Sequence, residues 1–171
     1  MSHEFHLKEP ASSSPARFWM YMAVALAVVA LDQATKWAVT RLIAYGHSID
    51  ITSFFNLVYV RNTGAAFSFL ANMGGTQVVI FSAIALVVSA VLMAILWMNS
   101  RARPLFCTSL ALMLGGAIGN LIDRLAFGSV VDFLDFYLGA YHWPAFNVAD
   151  IAVCCGAAGI ILESFLHKSA D

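Results

Sequence analysis

Polar side chains interrupt otherwise apolar sequence in pairs set three or four residues apart: Asp32 with Lys36, Asn120 with Asp123, and Asn147 with Asp150. A helix brings such pairs onto one face. Asp132 stands apart from them. It lies between apolar neighbours in "SVVDFLDF", caps no evident helix, and is separated from Asp150 by a loop short enough to return to it. Two carboxylates held together cannot both ionise cheaply, so one pKa rises and the pair can share a proton. Such a pair can activate water with one member and protonate a carbonyl or leaving group with the other. Hydrolysis is therefore one chemistry open to these residues. Ion transport is another, because intramembrane acids also build proton relays.

Each residue also has a purely structural reading. Asp32 and Lys36 can form a local ion pair at a helix end. Asn147 and Asp150 can cap the helix they open, where Asn and Asp are favoured and a negative charge suits the helix dipole. Asp123 and Arg124 can neutralise each other. Gly115 and Gly119 form GxxxG, a spacing that more often marks close helix packing than a ligand loop. Asn62–Gly64 reads as a turn. Asp135 and Glu163 read as ordinary interfacial charges. Cys107, Cys154 and Cys155 lie in apolar runs and read as small packing residues, with no disulfide framework or zinc pattern. The five histidines fall near helix ends, loops and tails without HExxH spacing. No serine–histidine arrangement or thiolate environment competes with the acids.

The elements that must position these residues are membrane helices. Of 171 residues, 61% are hydrophobic and 11% charged, and mean hydropathy is +0.80. Soluble domains are usually about 25% charged, so composition gives an integral membrane protein. A net charge of -1, with no long basic run, argues against a nucleic-acid partner. A spanning helix needs about 20 mostly apolar residues. Four segments qualify: Phe18 to Thr40, Gln77 to Met98, Pro104 to Leu125, and Val148 to Leu166. The fold expected is an all-α membrane protein with four transmembrane helices and a small β-containing periplasmic segment in the first loop, where "FFNLVYV" (Phe54–Val60) reads as strand. The domain expected spans 18–166, between a polar tail at 1–17 and a short tail at 167–171. The first span continues through "DQATKWAV" without a turn signal, so it reads as a retained helix rather than a cleaved signal. Arg101 and Arg103, in the very short second connection, place that connection and both termini in the cytoplasm. The first and third loops then share the periplasmic side, and the polar pairs converge there.

Five segments carry a resemblance: "LDQATK" (Leu31–Lys36), "RNTGAAFS" (Arg61–Ser68), "GGAIGNLIDR" (Gly115–Arg124), "VVDF" (Val130–Phe133) and "FNVAD" (Phe146–Asp150). In this order, across four spans, they resemble the bacterial lipoprotein signal peptidases, the signal peptidase II family. The resemblance implies an aspartic endopeptidase of the inner membrane. Its substrates would be prolipoproteins carrying diacylglyceryl on a cysteine, cut on the N-terminal side of that cysteine. By motif position, Asp132 and Asp150 would be the catalytic dyad. Asp32, Lys36, Asn62, Gly64, Asn120, Asp123, Arg124 and Asn147 would support the site or contact substrate. The resemblance also implies inhibition by globomycin-type cyclic peptides. No metal or organic cofactor is needed, and a monomer is expected. A small proton-coupled transporter is the alternative. It would need polar residues along a route across the bilayer, and the second span is almost free of them. A structural assembly subunit would explain GxxxG but not the paired acids.

Overall fold

The computed structural model describes residues 13–64, 76–101 and 103–168. Both chain tails beyond these limits, Ala102, and Ala65–Ser68 of the "RNTGAAFS" segment lie outside the described residues. Four helices, α1 (Pro15–Leu42), α2 (Thr76–Asn99), α3 (Pro104–Phe127) and α4 (Val148–Lys168), are each long and apolar enough to cross a bilayer. Pro15 and Pro104 sit in the first turns of α1 and α3, where a missing N–H costs nothing and the fixed φ is already helical. Gly128 ends α3 in the left-handed conformation at φ 68°, its N–H returning to the Arg124 carbonyl.

The bundle is built around α3. Over half of its most apolar stretch (56%) is buried, against 22% in each of the other helices. The GxxxG pair permits this. A Cβ on Gly115 would lie 2.7 Å from the Ala25 carbonyl oxygen of α1, and one on Gly119 would lie 2.6 Å from Asp32 Oδ2. The packing reading of GxxxG is therefore realised, and Gly119 also makes room for a carboxylate. The outward faces of the helices carry Leu26, Val79, Val87, Leu105 and Ile161, all exposed; this apolar surface suits lipid.

The two ends of the bundle differ. At one end the core is apolar, formed by Phe18, Tyr21, Ala25, Leu92, Leu96, Cys107, Leu110, Ala111 and Leu114. Arg17 Nη1 donates to the Arg101 carbonyl at 2.9 Å. Arg103 meets Glu163 at 2.6 Å. The start of α1, the α2–α3 turn and the end of α4 therefore share this side. Glu163 is buried and paired here, rather than the ordinary interfacial charge expected.

The other end carries a sheet of order β1-β2-β3-β4, with every neighbouring pair antiparallel. β1 (Ser48–Thr52) and β2 (Phe55–Asn62) come from the first loop, as expected. β3 (Val130–Leu138) and β4 (Tyr141–His142) come from the third, where no strand was expected. The first-loop expectation holds, with an omission at the third loop. Its cause is that β3 begins with four consecutive buried residues, Val130 to Phe133, so the alternation that betrays a half-exposed strand is missing there. Val39 of α1 and Ile43, the residue that caps it, pack beneath Tyr59, Val131 and Phe133 and seat the sheet on the bundle. Asp135, also read as interfacial, is buried in the sheet, with its carboxylate 2.9 Å from His142 Nδ1 and 3.3 Å from Asn56 Nδ2.

Candidate active site

The start of α4 is the anchor of the site. Asn147 Oδ1 accepts the Asp150 backbone N–H at 3.0 Å, and Asp150 Oδ2 accepts the Asn147 N–H at 3.2 Å. This is a reciprocal capping box. A third N–H of the first turn, that of Ala149, donates to Asp32 Oδ1 of α1 at 2.9 Å. The capping reading of Asn147 and Asp150 is thus correct, but it leaves other atoms of both side chains free for different partners. Asp150 Oδ1 accepts Asn120 Nδ2 at 2.8 Å. Asn147 Nδ2 donates to Asp132 Oδ1 at 2.7 Å. Asn147 therefore holds one carboxylate through its amide nitrogen and the helix turn bearing the other through its oxygen.

Asp132 reaches this point because β3 pairs with β2, with Val60 opposite Asp132 and Asn62 opposite Val130. The Asn62 oxygen accepts the Gly64 N–H at 2.8 Å, in a turn whose φ of +92° at Gly64 favours glycine. Its amide is then left to hydrogen-bond Asp132. Burial first, and then the nearby Asp150 charge, push the Asp132 carboxyl up from 3.8 to about 6, against the opposing hydrogen bonds from Asn62 and Asn147 and the Lys36 charge. Asp132 is buried and Asp150 only partly so. The pair thus presents one partly exposed side chain, Asp150, and one inner side chain, Asp132, whose proton is held more tightly than a free aspartate's.

Beneath the pair lies a second cluster centred on Lys36. Its ammonium contacts Asp32 Oδ2 at 2.8 Å, Asp123 Oδ2 at 3.0 Å and Asn120 Oδ1 at 3.0 Å, so each of its three N–H bonds has an acceptor. Asp123 also accepts Gln33 Nε2 and the Val131 N–H, at 2.9 and 3.0 Å. The expected local pair of Asp32 and Lys36 is real but forms part of a knot joining α1, α3, β3 and α4. The expected neutralisation of Asp123 by Arg124 gives way to the Lys36 pairing. Adjacent helical residues point about 100° apart, and the Arg124 guanidinium lies instead over the Phe81 ring of α2, at 5.6 Å.

All ten candidate residues lie at the sheet end of the bundle. Asp132, Asp150, Asn147, Asn120, Asn62, Lys36, Asp32 and Asp123 form a connected set, and Gly64 braces Asn62 from the side. Gln33 belongs to the set and was not singled out from the sequence. The available signal was its place inside an apolar span, between Asp32 and Lys36. Among the described residues, no three His, Cys, Asp or Glu side chains converge as a metal site.

Comparisons with known proteins agree on one family. A family model described as signal peptidase (SPase) II matches residues 24–166. A lipoprotein signal peptidase of Paraburkholderia phymatum is 52% identical over 157 residues, covering 92% of each chain. One from Tolumonas auensis is 53% identical over 154 residues, covering 90% of this chain and 93% of its own. Two solved structures of bacterial membrane enzymes are also similar. One has a TM-score of 0.73 at 30% identity and covers 84% of this chain and 91% of its own. The other has a TM-score of 0.76 at 28% identity and covers 90% and 92%.

Proposed function

The chain belongs to the signal peptidase II family, a multi-pass membrane protease that removes signal peptides from lipoproteins, and from that premise we propose that it does so as an aspartic endopeptidase with Asp132 and Asp150 as the dyad. The observation that carries this reading is the Asn147 bridge: one side chain holds the Asp132 carboxylate and the α4 turn that bears Asp150. In the proposed reactive form the pair holds one proton, on Asp132, whose raised pKa suits it to act as the acid. Asp150 takes a proton from water as its oxygen attacks the scissile carbonyl, while Asp132 gives its proton to the carbonyl oxygen. Collapse of the resulting diol returns a proton to Asp132, and Asp150 delivers the other to the departing amine. The new acid and amine then separate. The substrate is a prolipoprotein carrying diacylglyceryl on a cysteine, cut on the N-terminal side of that cysteine.

The sheet end is assigned to the periplasmic face of the inner membrane, and both termini and the Arg101–Arg103 turn to the cytoplasm. A lipid-anchored peptide bond lies near the bilayer surface, the depth at which α4 begins. Asn62, engaged with Gly64 and Asp132, supports the site, and Arg124 is the side chain assigned to hold the substrate backbone. The rival reading, proton-coupled transport, needs a polar route through the bundle, whereas the buried core around Leu96, Ala111 and Leu114 is apolar. Purified protein in detergent should cleave a diacylglyceryl precursor peptide and leave the unlipidated peptide largely intact. Proton flux into vesicles without cleavage would overturn the proposal.

A further inference from the structure

A cavity of about 310 Å³ runs along the outward side of α4, lined by Trp143, Phe146, Asp150, Ile151, Cys154 and Cys155. Asp150 is its single charged wall residue, and the remainder is apolar or sulfur-bearing. Cys154 stands one helical turn beyond Asp150 and Cys155 the next position along, so the groove descends about 6–8 Å from the carboxylate towards the bilayer interior. Both thiols are exposed. Trp143 and Phe146, in the segment that returns from β4 to α4, roof its upper end. The groove therefore meets Asp150 at one end and opens on the exposed apolar face of α4 at the other.

We propose that this groove seats one acyl chain of the substrate's diacylglyceryl cysteine, and that Ile151, Cys154 and Cys155 make the enzyme sensitive to chain length. The inference rests on the proposed reaction. If Asp150 meets the bond next to the lipidated cysteine, the thioether-linked glycerol lies within a few ångströms of it, and its chains must leave through an apolar wall that touches Asp150. Among the described cavities, this one joins Asp150 to a membrane-facing apolar surface. The small Cys154 and Cys155 side chains leave a furrow beneath Trp143. The bulk of a tryptophan at 154 would fill it.

The test compares diacylglyceryl precursor peptides with palmitoyl chains and with butyryl chains, cut by the parental protein and by Cys154→Trp. The parental enzyme is expected to show a lower KM for the long-chain peptide. Cys154→Trp should raise that KM at least ~10-fold, the loss of a few methylene contacts, and raise the KM for the butyryl peptide much less. Equal effects on both peptides, or none, would overturn the groove. A second measurement guards against misfolding. A palmitoyl-chain peptide with a terminal diazirine, irradiated on Asp132→Asn in lipid nanodiscs, should place its adduct on residues 151–155. Adducts confined to other helices, as a docked signal peptide on this face would give, contradict the proposal. So does an adduct removed equally well by plain phospholipid, the mark of a bulk-lipid surface. Failure of the parental protein to cut either peptide would instead remove the proposed reaction itself.

Discussion

Two groups of acids lie side by side at the sheet end of the bundle, and their partners differ. Asp32 and Asp123 face a lysine that satisfies both, and each also accepts a backbone N–H from another element. Asp132 and Asp150 face amides: Asn147, Asn120 and Asn62. An ammonium pairs with its carboxylates charge to charge, which serves a structural joint between helices. Amide donors orient carboxylates without cancelling their charge, so mutual repulsion and burial remain to raise one pKa. The same residue type, a short distance apart, thus meets either a cation or a set of amides.

The difference can be broken most severely on the amide side. Asp150→Asn keeps the shape of the capping box but removes an exchangeable proton site. Cleavage should fall at least ~10³-fold, while the melting temperature moves by only about 2–4 °C, the size of a lost helix-terminal charge. A single-turnover assay with thermal unfolding reads both. On the lysine side the large effect should be on folding. Lys36→Met strands two buried carboxylates and should cost about 3–5 kcal/mol, measured by denaturant unfolding in detergent. Adding Asp123→Asn to it should recover part of that loss.

A subtler contrast comes from pH. With a raised pKa, the folded state holds the Asp132 proton between about pH 4 and 6 while the unfolded chain releases it, so stability falls as pH rises through that window. Asp132→Asn should therefore be more stable than the parent at pH 8, by up to ~3 kcal/mol for a pKa moved from 3.8 to about 6. The gain should vanish near pH 4; a pH-independent difference would contradict the raised pKa. The smallest effect on activity is expected at Asp135, which is committed to His142 and Asn56 within the sheet. Asp135→Asn should keep cleavage within about 3-fold of parental, with a stability loss of about 1–2 kcal/mol from the weakened His142 contact.

The helices were legible because a span must be long and apolar; α1 differs from its expected limits only by a few residues at each end. β2 was legible from its β-branched and aromatic run. β3 was not, since its first half is buried on both faces and carries an aspartate. The ten candidate residues could be named from motif order, yet apart from the Asp32–Lys36 pair and the α4 cap their partners could not be read. Lys36 lies 87 positions from Asp123, and Asp32 lies 117 positions from the helix turn it caps. Adjacency suggested Arg124 as the partner of Asp123, whereas α1 packing across α3 supplies Lys36. Such choices are made by helix faces meeting in three dimensions, which spacing along one helix does not record.

The central claim is that Asp132 and Asp150 act as one proton-sharing unit. Its most direct test is the single-turnover rate of precursor cleavage by Asp132→Asn, Asp150→Asn and the double variant, with folding verified for each. Members of one unit are strongly non-additive, so each single variant should be at least ~10³-fold slower than the parental enzyme and the double little slower than either. Cleavage by either single variant at near the parental rate, or a double variant slowed by the product of the two single effects, would contradict the account.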